Sequence, residues 1–401
     1  MKRLRKILFW CHLTVGLTIA VIVIMLSVTG VLLTYERQLV AWADTRDMDA
    51  SAPEAGMARL GAGELLAMLA ASEGALPGSV TWQADSEKPA TVSYGREKTL
   101  YVNAYTGAVL GGAKPDLRAF FESVEHWHRW MAAEGEGRET FKAIVDGANL
   151  GFLFLVLSGL WLWWPKNWRK NTVRAVTWFR AGLSPKARDF NWHHVIGFWS
   201  LIPLFIIVVS GVVIAYPWAS NLVYTLNGEE PPVRRAPPGP PPAPRPDGGT
   251  GEQAAAAPFH MEEASYRDLN VLLAPAERRM PAWRTLTLNV PSASDETIRL
   301  SLNAGTGGQP QMQAQMEIDR ATGSEVSYRG FEAGTSGGKW RAILRFAHTG
   351  EVLGFWGQTL AGLVTLGTIL LAYTGAALSL RRFAAWRRRR AEAARRAVAA
   401  E

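Results

Sequence analysis

Cysteine is nearly missing from this chain: its 401 residues include one, Cys11. That excludes an intrachain disulfide, a cysteine-ligated zinc site and a thiolate-held cluster. The glycine-rich fingerprint of a dinucleotide or flavin site is also missing, so no such cofactor is built in by that route. Histidine is scarce, with 7 in all, and acidic residues (35) are outnumbered by basic ones (43), leaving a net charge of +8. The basic excess is not spread as a nucleic-acid surface would need. It is gathered in three runs: Lys2 to Lys6, Lys166 to Arg188, and Arg381 to Arg390. Each run borders a long apolar stretch, which argues against a nucleic-acid partner.

Hydrophobic residues are abundant, at 48%, with 17 tryptophans. Two apolar stretches are twins: HLTVGLTIAVIVIMLSVTGVLLTY from His12 to Tyr35, and HHVIGFWSLIPLFIIVVSGVVIAY from His193 to Tyr216. His12 and His193, Gly16 and Gly197, Gly30 and Gly211, and Tyr35 and Tyr216 coincide at a single offset of 181 (193 − 12, 197 − 16, 211 − 30, 216 − 35). Four matches without a gap point to an internal duplication. Ala148–Trp164 and Phe355–Leu380 are also apolar. At 1.5 Å per residue each stretch is about long enough to span a ~30 Å hydrocarbon core, giving four transmembrane helices. The positive-inside rule puts the three basic runs, and both termini, in the cytoplasm and the two long loops outside. MKRLRK and Ala41-Trp-Ala43 resemble parts of a signal peptide, but the apolar run is too long for one, so the first helix is expected to be retained.

The first outer loop carries a helical pattern over Ala58–Ser72, then strand-like runs at Ser79–Ala84, Thr91–Gly95 and Thr99–Ala104. The second repeats the plan, with a helix candidate in MEEASYRDLNVLLAPAERRM from Met261 and strand candidates at Trp283–Val290, Thr297–Leu302 and Met312–Ile318. Asn103-x-x-Thr106-Gly107 and Asp319-x-x-Thr322-Gly323 occupy equivalent hairpins, each with glycine where a left-handed residue is needed. A proline-rich run from Pro231 can form neither helix nor sheet and reads as a linker. The chain therefore divides into residues 1–35 (basic N-terminus and first membrane helix), 36–146 (first outer module and an interfacial helix), 147–165 (second membrane helix), 166–192 (basic cytoplasmic loop), 193–217 (third helix), 218–258 (linker), 259–352 (second outer module), 353–380 (fourth helix) and 381–401 (basic tail).

The histidines are what a membrane anchor would not need. His12 and His193 begin helices that run outward, so both lie at the cytoplasmic edge. His128 and His348 precede helices that run inward, so both lie at the outer edge; His126 and His194 are adjacent alternates to His128 and His193. Neutral imidazole is the commonest metal ligand, and ionisable groups inside a membrane are functional candidates by default. A closed zinc site needs four ligands, more than either face offers. Haem needs only axial ligands in an apolar surround, and Gly16, Gly30, Gly197 and Gly211 could give room for a flat ring. The residues thus suggest two haems, held by His12 with His193 and by His128 with His348, and an electron path across the bilayer.

Five motif pieces carry a family resemblance: His12-Leu-Thr-Val-Gly16, Trp127-His128-Arg129-Trp130, Ser158-Gly159-Leu-Trp-Leu-Trp-Trp-Pro165, His193-His194-Val-Ile-Gly197 and His348-Thr-Gly350. Over nearly its whole length the chain resembles the PepSY-associated transmembrane family, which includes inner-membrane ferric-siderophore reductases and iron-regulated membrane proteins. The resemblance implies a membrane α-helical fold, four helices from a duplicated two-helix unit, with two periplasmic α+β PepSY-like modules. It implies a bacterial inner-membrane, multi-pass protein with two b-type haems that passes electrons from a cytoplasmic or quinol donor to a periplasmic ferric siderophore or other ferric chelate. Other readings of such a chain are a PepSY-module binding or regulatory protein without redox activity, and a cytochrome subunit serving another periplasmic reductase.

Overall fold

A computed structural model describes residues 2–95, 98–165, 168–232, 275–292 and 295–398. His260, nearly all of the proline-rich run and most of the helix expected from Met261 lie outside the described residues. Four helices are long and apolar enough to cross a membrane: α1 (Lys2–Leu33), α5 (Gly137–Trp163), α7 (Pro185–Ala215) and α10 (Gly354–Val398). Between them come α2 (Glu36–Thr45), α3 (Ala62–Glu73), α4 (Pro115–Trp130), α6 (Lys170–Thr177), α8 (Pro217–Leu226) and α9 (Ser336–Ala347). Proline stands in the first turn of α4, α7 and α8, where its missing N–H costs nothing and its fixed φ suits the helix. All four long helices overrun their apolar stretches, α1 by starting at Lys2, ahead of His12. α5 and α7 start before Ala148 and His193, and α10 continues through the arginines to Val398 instead of ending at Leu380.

α1 packs against α5 and α10, and α7 packs against the same two, so α1 and α7 stand on one diagonal of a four-helix bundle. Its interior holds two apolar clusters, Val156, Leu204, Val208 and Val364, and Ile19, Val23 and Ala148. At the end where the chain starts, the buried Asp189 carboxylate accepts from Arg188 at 3.0 Å and also from Arg381, tying α7 to α10. Part of the basic excess therefore has a structural task.

The two long loops, between the first and second and between the third and fourth membrane-length helices, do not form two separate sheets. Their strands are β1 (Ser79–Gln83), β2 (Ala90–Tyr94), β3 (Lys98–Val102) and β4 (Val109–Gly112), then β5 (Thr285–Asn289), β6 (Thr297–Asn303), β7 (Gln313–Asp319) and β8 (Glu325–Gly330). They join in one antiparallel eight-stranded sheet, in the order β4-β3-β2-β1-β5-β6-β7-β8. The junction is centred on Thr81 opposite Thr287, whose hydroxyls are 2.8 Å apart. Both halves carry a bulge at the matching place, between Tyr101 and Val102 and between Glu317 and Ile318. The offset between equivalent positions is 206 at the junction (287 − 81) and 216 at the hairpin glycines (323 − 107). The rise from 181 to 206 means the second half carries 25 extra residues (206 − 181) ahead of its sheet, in the stretch that holds the proline-rich run.

One face of the sheet is apolar. Val80, Trp82, Val92, Leu286, Leu288, Ile298, Leu300, Leu302 and Met316 are buried there with Leu65, Leu66 and Leu69 of α3. Each fully buried large aliphatic side chain contributes about 2 kcal/mol, which makes this the main core outside the bundle. The other face, of threonine, serine, asparagine and glutamine, is turned toward the bundle end. On that face Tyr101 donates to Asp44 of α2 at 2.8 Å. Asp44 is buried and also accepts from the Lys114 amide at 2.8 Å and from Arg118 of α4. This carboxylate fixes α4, and with it His128, against α2 and the sheet.

The equivalent hairpins differ in chemistry. Asn103 Oδ1 accepts from the amides of Tyr105 and Thr106 at 2.8 and 3.1 Å. Asp319 accepts from the amide and hydroxyl of Thr322 at 2.7 and 2.8 Å, and these bonds hold its carboxyl below the usual carboxylate range. Gly107 and Gly323 have φ of 72° and 69°, the left-handed conformation read from the sequence. A depressed folded pKa contributes stability above the unfolded value that is lost as pH falls through the folded one. Acidification below about pH 4 should therefore loosen the β7–β8 hairpin and spare β3–β4. Hydrogen exchange of the two hairpins checks this, and Asp319→Asn, which copies the first hairpin, should narrow the difference to what Glu325 of β8, held low by Arg279, still contributes.

Candidate functional site

Four histidines, two at each end of the bundle, are held in one way. His12 of α1 meets Ser158 of α5 (Nδ1 to Oγ, 2.8 Å), and His193 of α7 meets Thr374 of α10 (3.0 Å). At the other end His128 of α4 meets Thr29 of α1 (2.8 Å). His348, just after α9, meets the Ile207 carbonyl at 2.8 Å and Ser210 of α7 at 3.5 Å. In every case Nδ1 is the anchored nitrogen and the partner lies on another helix.

The four hydroxyls are already committed to their own helices. Ser158 donates to Phe154, Thr374 to Leu370, Thr29 to Met25 and Ser210 to Ile207, at 2.7–2.8 Å. With its hydrogen pointed at a carbonyl, the oxygen has only lone pairs left for the imidazole. Nδ1 must then carry the ring proton, as it must for His348 against a carbonyl. The same tautomer follows at all four sites, and it leaves every Nε2 with a free lone pair. Among the described residues no hydrogen bond engages Nε2 of these four rings.

A glycine follows each hydroxyl residue: Thr29-Gly30, Ser158-Gly159, Ser210-Gly211 and Thr374-Gly375, one dipeptide per long helix. Each glycine lies against the ring that its neighbour anchors. A Cβ at Gly159, Gly375 or Gly30 would stand 3.5, 3.4 or 3.6 Å from Cε1 of His12, His193 or His128. At Gly211 it would stand 3.1 Å from Cε1 of His348 and 2.8 Å from Nδ2 of Asn149, closer than packing allows. Gly30 and Gly211 thus serve the histidines directly. Gly16 and Gly197 do not: the nearest side chains to them are Leu155 and Leu371, at 3.7 and 3.8 Å. Gly159 and Gly375, rather than Gly16 and Gly197, lie against His12 and His193.

The rings of His128 and His348 are 6.4 Å apart, centre to centre. Two imidazoles on opposite sides of one metal, each with a metal–nitrogen bond of about 2 Å, have centres roughly 6 Å apart. His12 and His193 stand at the same end of the bundle on the two diagonal helices, each anchored to one of the two helices that both contact. His12 to Thr29 and His193 to Ser210 both span 17 residues (29 − 12, 210 − 193), so the two levels are about 26 Å apart along the helices. Among the described residues no group of three or more His, Cys, Asp or Glu could hold a metal ion.

The alternates are engaged differently. His194 donates from Nδ1 to the Phe190 carbonyl of its own helix at 2.8 Å, and its ring lies 4.0 Å from the Phe190 ring. His126 packs on Trp130, with ring centres 5.2 Å apart. Neither makes the cross-helix bond that marks His193 and His128.

The corner that presents His348 is built by backbone shape. Gly350 has φ 76°, and a Cβ there would fall 2.3 Å from the Gly357 carbonyl oxygen. Only glycine lets α9 fold back onto α10 this tightly. The matching corner after His128 uses Met131 and Ala132, both at positive φ without being glycine (52° and 58°). Such strain persists only where the surroundings impose it, and it marks the turn that sets His128.

Four membrane-length helices, an antiparallel sheet and four half-buried histidines, two at either end of the bundle, define a multi-pass membrane protein. The family model described as PepSY-associated TM region matches residues 9–382, and the chain belongs to this family. No curated protein matches the chain significantly.

Proposed function

We propose that this protein is a di-haem inner-membrane reductase that moves electrons across the bilayer to a periplasmic ferric siderophore or similar ferric chelate. The observation that carries the reading is the fourfold Nδ1 anchoring, which leaves one Nε2 donor per ring and two rings at each end. On this reading His12 and His193 hold the inner haem b, and His128 and His348 the outer. A bound haem supplies one-electron chemistry at each level.

The rest is the work of the chain. Ser158, Thr374, Thr29 and Ser210 fix the tautomer and raise the basicity of the ligating nitrogen, the usual task of groups behind a metal-bound histidine. The clusters around Val208 and Val23 keep water from the layer between the two levels. The sheet stands over the outer level, where α4 and α9 bring His128 and His348 to the bundle. An acceptor iron takes one electron, passing from Fe(III) to Fe(II), which hard oxygen ligands hold less well. The electron comes from a cytoplasmic or quinol donor. The two halves are copies of one unit, and the sheet is a fused pair of PepSY-like modules on the periplasmic side.

Vesicles test the transfer. With dithionite sealed inside and ferric citrate outside, wild-type protein should reduce the outer iron. Equal rates for protein-free vesicles would contradict the proposal. Both termini are cytoplasmic on this reading. Reporter fusions after Arg390 and within residues 233–249 should then give opposite compartments, and the same compartment for both would rule out four crossings.

A further inference from the structure

Beside the outer histidine level, the polar face of the sheet and α9 enclose a cleft of about 600 Å³. That size is in the range of small-molecule sites, ~300–1,000 Å³. Thr285, Thr287, Asn303 and Gln315 present hydroxyls and amides from β5, β6 and β7, and Arg329 of β8 and Lys339 of α9 bring positive charge. No carboxylate lines it. Lys339 pairs with Glu332 at 2.7 Å, but Glu332 is almost wholly exposed and stands outside the lining. Arg329 makes no ion pair among the described residues. From Ala342, which lines the cleft, to His348 is six residues of one chain path, about 9 Å at helical rise.

These features are unlike a peptide groove. Most of the sheet here is β5 to β7, interior strands whose backbone groups are already paired, and a strand could add only beyond them, at the outer edge of β8. What the walls offer is hydroxyl and amide donors beside an apolar part formed by Leu302, Phe331 and Ala342, a positive balance and closeness to the outer histidines. We propose that this cleft is the docking site for the acceptor, and that it takes an anionic, oxygen-rich ferric chelate through Arg329 and Lys339, with the threonines and amides bonding its carboxylate or hydroxyl oxygens. The proposal rests on the electron-transfer reading for its purpose but not for its test.

Gallium(III) citrate is anionic and carries a metal that is not reduced, so its binding can be measured whatever the haem content. Titrated into purified full-length protein and followed by calorimetry, it should bind saturably. Arg329→Glu and Lys339→Glu should each weaken binding about tenfold or more, as expected for losing a charge-assisted hydrogen bond and gaining repulsion. Arg329 is exposed and Lys339 half-buried, so Arg329→Glu should leave the fold intact, and circular dichroism with haem content checks both variants. Absence of binding by the wild type, or affinity unchanged in both variants, would overturn the cleft assignment. Normal binding by protein that lacks haem, weakened by the two variants, would uphold the cleft while overturning the reductase reading.

Discussion

Replacement of His348 by alanine should remove the outer haem, leave the inner one in place and abolish reduction across the membrane. His128→Ala should do the same, whereas His12→Ala and His193→Ala should each remove the inner haem and spare the outer. The pairing follows from depth. The two levels are separated by 17 helical residues, about 26 Å, so no side chain at one level reaches the other. It also follows from the diagonal: α1 carries His12 and anchors His128, while α7 carries His193 and anchors His348. Haem content should fall from two per chain to one in each variant, and transfer should stop in all four, because the levels act in series. His194→Ala and His126→Ala should keep both haems. Low-temperature spectra of membranes, with insertion confirmed by immunoblot, distinguish the levels. Loss of one and the same haem in His12→Ala and His348→Ala, with His193→Ala intact, would break the pairing.

The second large effect is expected at Gly211. A Cβ there would meet Asn149 at 2.8 Å and His348 at 3.1 Å, inside a packed bundle with Ser210 fixed on its own helix. Gly211→Val must push the His348 ring off its anchor. Overpacking of this kind costs about 1–3 kcal/mol, which corresponds to a loss of about ten- to a hundredfold in affinity for the outer haem. Gly159→Ala is the control, because its Cβ would stand 3.5 Å from His12, an ordinary contact. Haem titration of the two variants should show outer-site weakening in the first and near-normal inner-site binding in the second. Equal behaviour would mean that the glycines serve helix packing alone.

Much of this was legible in the sequence, for physical reasons. Helices that must satisfy their own backbone in lipid announce themselves by length and hydropathy, and all four were readable. The twin histidines showed because an ungapped repeat preserves spacing. β1, β2, β3 and β5 to β7 showed through their β-branched and alternating residues. β4 and β8 did not: Val109-Leu110-Gly111-Gly112 is short and half glycine, and β8 has only partly buried or exposed residues. The fusion of the two sheets was invisible, since the β1–β5 pairing joins segments 206 residues apart and leaves no local trace. The hydroxyl–glycine dipeptides are in plain view, Ser158-Gly159 at the head of the tryptophan-rich run that ends at Pro165. A serine or threonine in a membrane helix ordinarily bonds back to its own turn, as these four do, so each reads as self-satisfied. Their second task shows only when the register between helices sets Ser158 beside His12 and Thr374 beside His193. One signal was available without that register: each long helix carries one such dipeptide.

The most direct measurement is the haem-to-chain ratio of the purified wild-type protein, from the pyridine haemochrome and quantitative amino-acid analysis. The single cysteine excludes attachment through a C-x-x-C-H motif, so the haem should be non-covalent and extractable. The account predicts two extractable haems per chain, with a reduced-minus-oxidised spectrum of bis-histidine b type. A colourless protein that is correctly inserted, or one haem per chain that survives alanine at His128 and His348, would contradict it.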